Sequence, residues 1–510
     1  MKPLQESIKL HKDDNVSIAI NQLKQGQKIG NIIIQEDIPP GYKFANKELK
    51  AGDKCYRYGA YIGDITRNVK PGNIIHVQNL SFTQKMFKRS TNSLSKSKSK
   101  LVKQNQIKYF KGFIQKNKEV ATRNYIGVIS TVNCANTVVD EISNYFRFGQ
   151  GSQTIKEINH DETLLDGIVP IKHNLGCAMQ KDGAGHKLLK RTLEGYALHP
   201  NFCFVLVIGL GCEVNNMSYI QEQSESIHYL SIQEEGGSKK TSEEAIRLLD
   251  SFISNTHFNS RSLVPLSNLK VSLQCGGSDS FSGITANPLL GMAMDKLVEN
   301  GGTAVLGETP EIYGAEHLLI ERAVNKNIAN KLIDKVKWWE DYASSLGESI
   351  NNNPSSGNIM GGISNIAEKS LGAVAKSGSS PLIDVLDYAQ RIINSGLMFM
   401  DTPGYDPVSV TGHIAGGCNL VCFTTGRGSA FGSFPSPTIK ISSNNDLFNN
   451  QSQDIDFNAG LVLDAEADMN QIADNLLSKI VNIASGERSK SEDFGYGYNE
   501  FVPWHLGAVL

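Results

Sequence analysis

The sequence predicts an α/β protein: a small β-rich unit at the amino end, then two α/β domains built on mostly parallel sheets. Three observations carry this. Residues 1–80 hold only short strand-like runs cut by Pro/Gly turns. From about residue 109 onward, strand-like runs alternate with helical periodicity. Several of those runs deliver a cysteine just past the strand, among glycines and polar side chains. At 510 residues and 40% hydrophobic side chains, the chain is long enough for roughly three domains and can fill their cores.

Composition narrows the partners. A formal charge of −2 gives no global attraction for nucleic acid. No stretch approaches the ~18 continuous apolar residues of a membrane span, and Met1–Lys12 lacks the apolar core of a secretory leader. The expectation is therefore a cytoplasmic protein with neither nucleic acid nor membrane as partner. Eight cysteines without a CxxC pair read as free thiols or metal ligands in a reducing compartment. A homodimer is assumed only because symmetric pairs are commonest.

In the amino-terminal unit the strand-like runs are Ser17–Ile20, Ile29–Gln35, Lys54–Tyr56 and Ile74–Val77. Pro39-Pro40-Gly41, Ala51-Gly52-Asp53 and Pro71-Gly72-Asn73 separate them. Two histidines, His11 and His76, could converge on a divalent metal or serve singly as hydrogen-bonded structural residues. Residues 81–108 read as a flexible linker, since Ser90–Lys100 is a Ser/Lys tract with little to bury.

The second domain spans 109–259. Tyr125–Val132 runs into Asn133-Cys134, and Thr137–Phe146 follows as a helix. Gly167–Ile171 leads to His173 and Cys177, and Cys203–Leu210 leads to Cys212. Open α/β sheets bind ligands outside the carboxyl ends of their strands, so these thiols are expected near one another and near a cleft. Any one alone would be an ordinary small core residue.

The third domain, 260–510, opens with the strand Leu269–Leu273 and the loop Leu273–Pro288. That loop carries Cys275, two glycines, Ser278, Asp279, Thr285 and Asn287, a set of donors, acceptors and a metal ligand beside exposed backbone N–H groups. Thr303–Gly307 is a further strand, with a helix start at Thr309-Pro310-Glu311, and Val336–Ala343 is helical. Asn419–Phe423 feeds Thr424-Thr425-Gly426-Arg427-Gly428, where a guanidinium and bare backbone donors suit a carboxylate or phosphate. The spacing is not that of a Walker loop, and Val214 stands where a dinucleotide fingerprint needs its third glycine.

Read together, the motifs resemble a known family. Asp37-Ile38-Pro39-Pro40-Gly41-Tyr42-Lys43, Tyr58-Gly59-Ala60-Tyr61-Ile62-Gly63 and Ile75-His76-Val77-Gln78-Asn79 are similar to the turns of the SAF module, a β-clip fold. Ala121-Thr122-Arg123-Asn124, Leu175-Gly176-Cys177, Ile208-Gly209-Leu210-Gly211-Cys212-Glu213, Cys275-Gly276-Gly277-Ser278-Asp279, Asn353-Pro354-Ser355 and Thr425-Gly426-Arg427-Gly428 extend the likeness. The whole resembles the altronate/galactarate dehydratases, hydro-lyases of sugar acids, and Pro310-Glu311-Ile312-Tyr313-Gly314-Ala315-Glu316 with Gly417-Cys418-Asn419 is closer to the altronate branch. One departure is in the SAF module, where His76 stands without the usual further histidines and Gln78 takes a histidine's place.

The resemblance implies removal of water from an aldonate to give a 2-keto-3-deoxy acid, with iron. Such a reaction takes a proton from the carbon beside a carboxylate and expels hydroxide from the next carbon, so it needs a base, an acid and a carboxylate clamp. Two iron sites are open: a ferrous ion on His11 and His76, or an iron–sulfur cluster on three of Cys134, Cys177, Cys212 and Cys275. Arg427 is the expected clamp, and Arg123, Asn124, Ser278, Thr285, Asn287 and Thr425 are further candidate substrate contacts. The base is sought among His173, His413, Lys376 and Asp279. The alternatives are galactarate or another aldarate as substrate, sulfite loss from a sulfonated hydroxy acid, or a sugar-acid-binding protein without catalysis.

Overall fold

A computed structural model describes residues 6–82, 108–159, 164–464 and 468–507. The Ser/Lys tract of the expected linker lies outside the described residues.

The amino-terminal unit is all β. Antiparallel strands Ser7–Ile8, Val16–Ala19, Lys43–Ala45 and Ile74–Ile75 form one sheet, and Lys54–Arg57, Ala60–Ile65 and Leu80–Ser81 form another. The single run expected at Ile29–Gln35 is instead a small hairpin, Lys28–Ile29 against Ile32–Ile33. Gly30 at φ +57° makes the two-residue turn between them, a backbone value that suits hairpins and that side chains resist.

The second domain holds four parallel strands in the order Gly167–Ile171, Tyr125–Ser130, Phe202–Gly209, Ile227–Ser231. Tyr125–Ser130 is buried along its whole length, as its near-continuous apolar sequence requires of a parallel strand covered on both faces. Ile126 and Val128 pack with Val138, Ile142 and Leu249 of helices Asn136–Phe148 and Ser238–Asn255. Tyr125 and Ile129 face the other way, toward Leu189 and Leu193 of helix Ala184–Ala197.

The third domain carries seven parallel strands in the order Leu382–Leu386, Gly396–Met400, Thr303–Leu306, Lys270–Cys275, Leu420–Thr425, Thr438–Ser442, Phe457–Asn458. In both parallel sheets the first strand of the domain sits inside the sheet, with later strands laid down on either side. Each sheet therefore has a switch point at the carboxyl end of its first strand, where the diverging connections leave a crevice. Those two ends are Ser130, just before Cys134, and Cys275.

Buried polar contacts hold the domains together. At the amino ends of the two parallel sheets, Thr122 Oγ1 donates to Asn419 O at 2.6 Å and Asn201 Nδ2 to Pro435 O at 2.9 Å. The β-rich unit is joined to the third domain through Glu368, which accepts from Arg57 and stands 2.9 Å from Lys43 Nζ, all three fully buried. One carboxylate between two buried cations stays ionised: burial opposes this, but Lys43 and Arg57 hold Glu368 down to about 2. Among the described residues, no helix is long and apolar enough to cross a membrane.

Candidate active site at the switch point

Strand Lys270–Cys275 ends in a loop that can exist only without side chains at certain points. A Cβ on Gly276 would stand 2.4 Å from Asp406 Oδ2, and one on Gly426 would stand 2.2 Å from Asp279 Cγ. The close approach at Gly426 brings the Thr425–Gly428 turn against the Cys275 loop. Asp279 then clasps the neighbouring segments. Its Oδ1 accepts from Ser282 N, Ser282 Oγ and Ser443 Oγ, each at 2.8 Å, and its Oδ2 accepts from Asn444 Nδ2 at 3.1 Å.

Outside this clasp lies a cleft of about 700 Å³. Arg427, Asp279 and Asn444 line it from the third domain, and Asn21, Gln22 and Pro40 line it from the β-rich unit. Arg427 is the expected carboxylate receptor, and the structure places it here.

Behind the loop is a dense buried cluster. Lys376 Nζ donates to Cys275 Sγ at 2.8 Å and stands 3.6 Å from Glu308. Lys369 donates to Glu311 at 2.7 Å and to Asn353 Oδ1 at 2.8 Å. Cys275 Sγ lies 3.8 Å from Glu311 Oε2, and one ligating atom each of Cys275, Glu308 and Glu311 falls within 4.8 Å of the others. Neither oxygen of Glu308 has a hydrogen-bond partner, although the residue is 1% exposed.

Burial without full compensation shifts these groups apart. Burial and then the Glu311 charge raise Glu308 well above the carboxylate range and bring Asp406 to about 7. Burial would raise Glu311 as well, but Lys369 holds it below its ordinary value. Burial pushes the Cys275 thiol up to about 11 against the pull of Lys376. Burial would lower Lys376, yet Cys275 and Glu308 keep it above the usual lysine value, so it remains an ammonium. His413 Nδ1 meets Ser272 Oγ at 2.8 Å, and burial with Lys376 nearby brings the ring down to about 3, a neutral imidazole.

Of the residues singled out in the sequence, Ser278, Asp279, Thr425 and Arg427 gather at this strand end, with Cys275, Lys376 and His413 behind them. Asp279 and Thr425 organise the loop: Thr425 Oγ1 accepts from Gly428 N at 3.0 Å. Ser278 Oγ is buried without a partner. Thr285 and Asn287 serve packing, through Thr285 Oγ1 to Ser443 O at 2.6 Å and Asn287 Nδ2 to Gly372 O at 2.9 Å.

Others stand apart. Arg123 spends its donors on Glu492, Ile483 O, Glu487 O and Thr122 O. Asn124 Nδ2 donates to Leu164 O at 2.6 Å. Both precede strand Tyr125–Ser130, at the end of the sheet away from the switch point. His173 uses both ring nitrogens on backbone, Nε2 to Ser130 O at 3.0 Å and Nδ1 to Leu175 N at 3.1 Å, and burial lowers it to about 4. It positions a loop and has no lone pair free to act as a base.

The two histidines of the β-rich unit have different surroundings. His11 is exposed, with Nδ1 on Asp13 N at 3.3 Å. His76 is buried on Ser364 Oγ at 3.0 Å, and Lys43 donates to that same hydroxyl at 2.6 Å. An ammonium so close opposes a cation, and burial followed by Lys43 lowers His76 to about 4. His76 Nε2 is buried without a partner, and among the described residues no group of three close metal-ligating atoms includes either histidine.

The cysteines divide in two. Cys275 belongs to the third-domain cluster, whereas Cys134, Cys177 and Cys212 are exposed at the carboxyl ends of three adjacent strands of the second domain. Their loops are tied together: Asn133 N donates to Leu175 O at 3.1 Å and Asn215 N to Gly176 O at 3.0 Å. A Cβ on Gly176 would meet Thr131 O at 2.4 Å, so glycine lets the Cys177 loop lie on the Cys134 loop. Three exposed thiols, the donor type that iron–sulfur clusters take, thus stand on strand-end loops hydrogen-bonded to one another.

Sequence reasoning missed Glu308, Glu311, Lys369 and Asp406 as site residues. The strand-end rule could have found the first two, because Glu308 and Glu311 directly follow strand Thr303–Leu306.

Comparison with known proteins agrees with this layout. Family models match three stretches: the altronate/galactarate dehydratase SAF domain at 5–83, the D-galactarate dehydratase/altronate hydrolase second domain at 112–257, and the D-galactarate/altronate dehydratase C-terminal domain at 266–509. The chain is 34% identical to altronate dehydratase of Bacillus subtilis (strain 168), over 94% of its own length and 95% of the relative's. It is 33% identical to altronate dehydratase of Escherichia coli (strain K12), over 95% and 96% of the two chains. It is 31% identical to the L-threo-forming galactarate dehydratase of Escherichia coli (strain K12), over 98% and 97%. With all three domains matched in order and nearly the whole length aligned, the chain belongs to the altronate/galactarate dehydratase family.

Proposed function

We propose that this protein is a hydro-lyase that removes water from an altronate-type aldonate, giving a 2-keto-3-deoxy acid, with iron as cofactor. The observation that carries the reading is Arg427 lining the switch-point cleft, in a chain similar from end to end to altronate dehydratases. Its guanidinium can grip both oxygens of the substrate carboxylate, and the turn that carries it is fixed by Gly426 N on Gly277 O and Gly428 N on Thr425 Oγ1. Asn21 and Gln22, which line the cleft from the β-rich unit, supply amide groups for sugar hydroxyls.

Lys376, kept as an ammonium on Cys275 behind the loop, holds its proton at Nζ and does not serve as the base. Asp279 is occupied by four donors and His173 by backbone, so neither takes the base's role. Cys134, Cys177 and Cys212 are the residues that would hold iron, as a cluster, which supplies Lewis acidity when bound. Reduced thiols able to hold a cluster, with no disulfide among the eight cysteines, support a cytoplasmic location.

The test is an assay for 2-keto-3-deoxy acid from a panel of aldonates and aldarates, with protein prepared anaerobically. Altronate is expected to be turned over fastest, and absence of product from every acid overturns the reading. Arg427→Lys should raise KM at least tenfold for the preferred acid through loss of the two-oxygen grip; an unchanged KM removes Arg427 from the role. Cys134→Ser should abolish visible absorption and acid-labile sulfide.

A further inference from the structure

All three tryptophans of the chain, Trp338, Trp339 and Trp504, meet at a second cleft, which shares no lining residue with the one at Arg427. This cleft, of about 660 Å³, lies between helix Ala184–Ala197 of the second domain and helix Lys326–Ser345 of the third. Trp339 and Trp504 stack at 5.4 Å, and Trp338 stands edge-on to both. Trp504 is fixed in turn, since its backbone N–H donates to Tyr388 Oη at 3.2 Å. Trp338 and Trp504 line the cleft, and Trp338 remains 38% exposed. A preformed aromatic wall open to solvent suits a flat ring, because stacking there orders nothing further in the protein.

The second-domain helix brings two cations to the same cleft, Lys187 and Arg191, one turn apart. Among the described residues Lys187 has no ion-pair partner. Arg191 makes no hydrogen bond among them: its Nε is buried bare, and the nearest carboxylate oxygen, of Asp387, is 3.8 Å away. A guanidinium left unspent beside an open cleft is a ready receptor for an anion. Asp387 also accepts from Lys335 Nζ at 2.5 Å, and Lys335 precedes Trp338 by one turn of its helix. Asp387 therefore stands between Arg191 and the aromatic wall. Gln390 is beside it, with its amide oxygen on Asp387 N at 2.9 Å and its amide donors unspent among the described residues. A flat wall, then a carboxylate and an amide, then two cations matches the order of base, ribose hydroxyls and phosphate.

We infer that this cleft binds a nucleoside monophosphate, with the base against Trp338 and Trp504, the ribose hydroxyls toward Asp387 and Gln390, and the phosphate on Lys187 and Arg191. The site touches the residues behind the Cys275 loop. Asp401, which lines it, accepts from Trp339 Nε1 at 2.9 Å and from Thr309 Oγ1 at 2.6 Å, and Thr309 adjoins Glu308. A nucleotide here contacts the catalytic domain without entering the substrate cleft. The inference does not rest on the proposed activity.

Because every tryptophan belongs to this site, tryptophan fluorescence of the full chain reads it directly. Titration with AMP, GMP, CMP and UMP should quench it saturably for at least one of them; no saturable change with any overturns the site. The matching nucleoside should bind roughly tenfold more weakly or worse, which is the worth of one charge-assisted hydrogen bond. Lys187→Gln combined with Arg191→Gln should have the same effect. Equal affinity for the nucleoside, or unchanged affinity in that double variant, overturns the assignment. Arg427→Lys should bind the nucleotide as the unmutated chain does; lost binding there puts the nucleotide in the substrate cleft and refutes the second site. Crystals of the unmutated protein soaked in the brominated form of the tightest nucleotide give a readout independent of variant folding. Bromine anomalous density beside Trp338 supports the site; density elsewhere, or none, refutes it.

Discussion

Glu368 shows how much can hang on one side chain. Its carboxylate serves Lys43 and Arg57 from the β-rich unit, and Arg57 in turn donates to Ser280 O of the Cys275 loop at 2.9 Å. Removing one partner of a buried charge set leaves the others uncompensated, so Glu368→Ala should destabilise the fold by about 3–5 kcal/mol in urea unfolding. The pH dependence follows from the depressed value. A carboxyl at about 2 in the folded state, against an ordinary 4.5, contributes stability above the unfolded value that disappears as pH falls toward 2. Wild-type stability should thus drop between pH 4.5 and 2, and Glu368→Gln should flatten that limb. Arg123 is the contrasting case: Arg123→Ala should cost a similar ~3–5 kcal/mol by stranding Glu492, yet leave KM of the remaining folded enzyme unchanged.

Among the elements, the strand–loop units decide the chemistry, and here the tight turns matter more than the helices. Gly426→Ala would drive a methyl into Asp279, so the clasp should open and KM should rise sharply, with little change in far-ultraviolet circular dichroism. The strands themselves were legible from their residues. Gly167–Ile171 matches the expected run end for end, and Tyr125–Ser130 falls within its own. Periodicity reports these elements well because buried parallel strands are near-continuous apolar runs. What it could not report is strand order. The third-domain sheet places Lys270–Cys275 beside Thr303–Leu306 on one side and Leu420–Thr425 on the other, pairings set by contacts distant in sequence. That order is why Glu308, from one neighbour, faces Cys275. It also parts Cys275 from the other three cysteines, although all four follow strands in the same way. The roles of Arg123 and Asn124 were equally out of reach, since a motif gives residue types but not which end of a strand they occupy.

Across the whole molecule, the cleft is shared property: Arg427 and Asn444 come from the third domain, Asn21 and Gln22 from the β-rich unit. A chain beginning at Lys108 should therefore lose sugar-acid turnover while keeping the visible absorption expected of the proposed cluster on Cys134, Cys177 and Cys212, which spectroscopy of the truncated protein would check. The two-sided cleft also bears on how such an enzyme can diversify. Asn21 and Gln22 stand on a separate unit that packs on the third domain through a shared apolar core and through Glu368, so their loop can be rewritten without disturbing the cluster behind Cys275. Relatives that share the third domain's chemistry but accept different acids could be made by transplanting that one loop, as a locksmith recuts the key face and leaves the bolt alone.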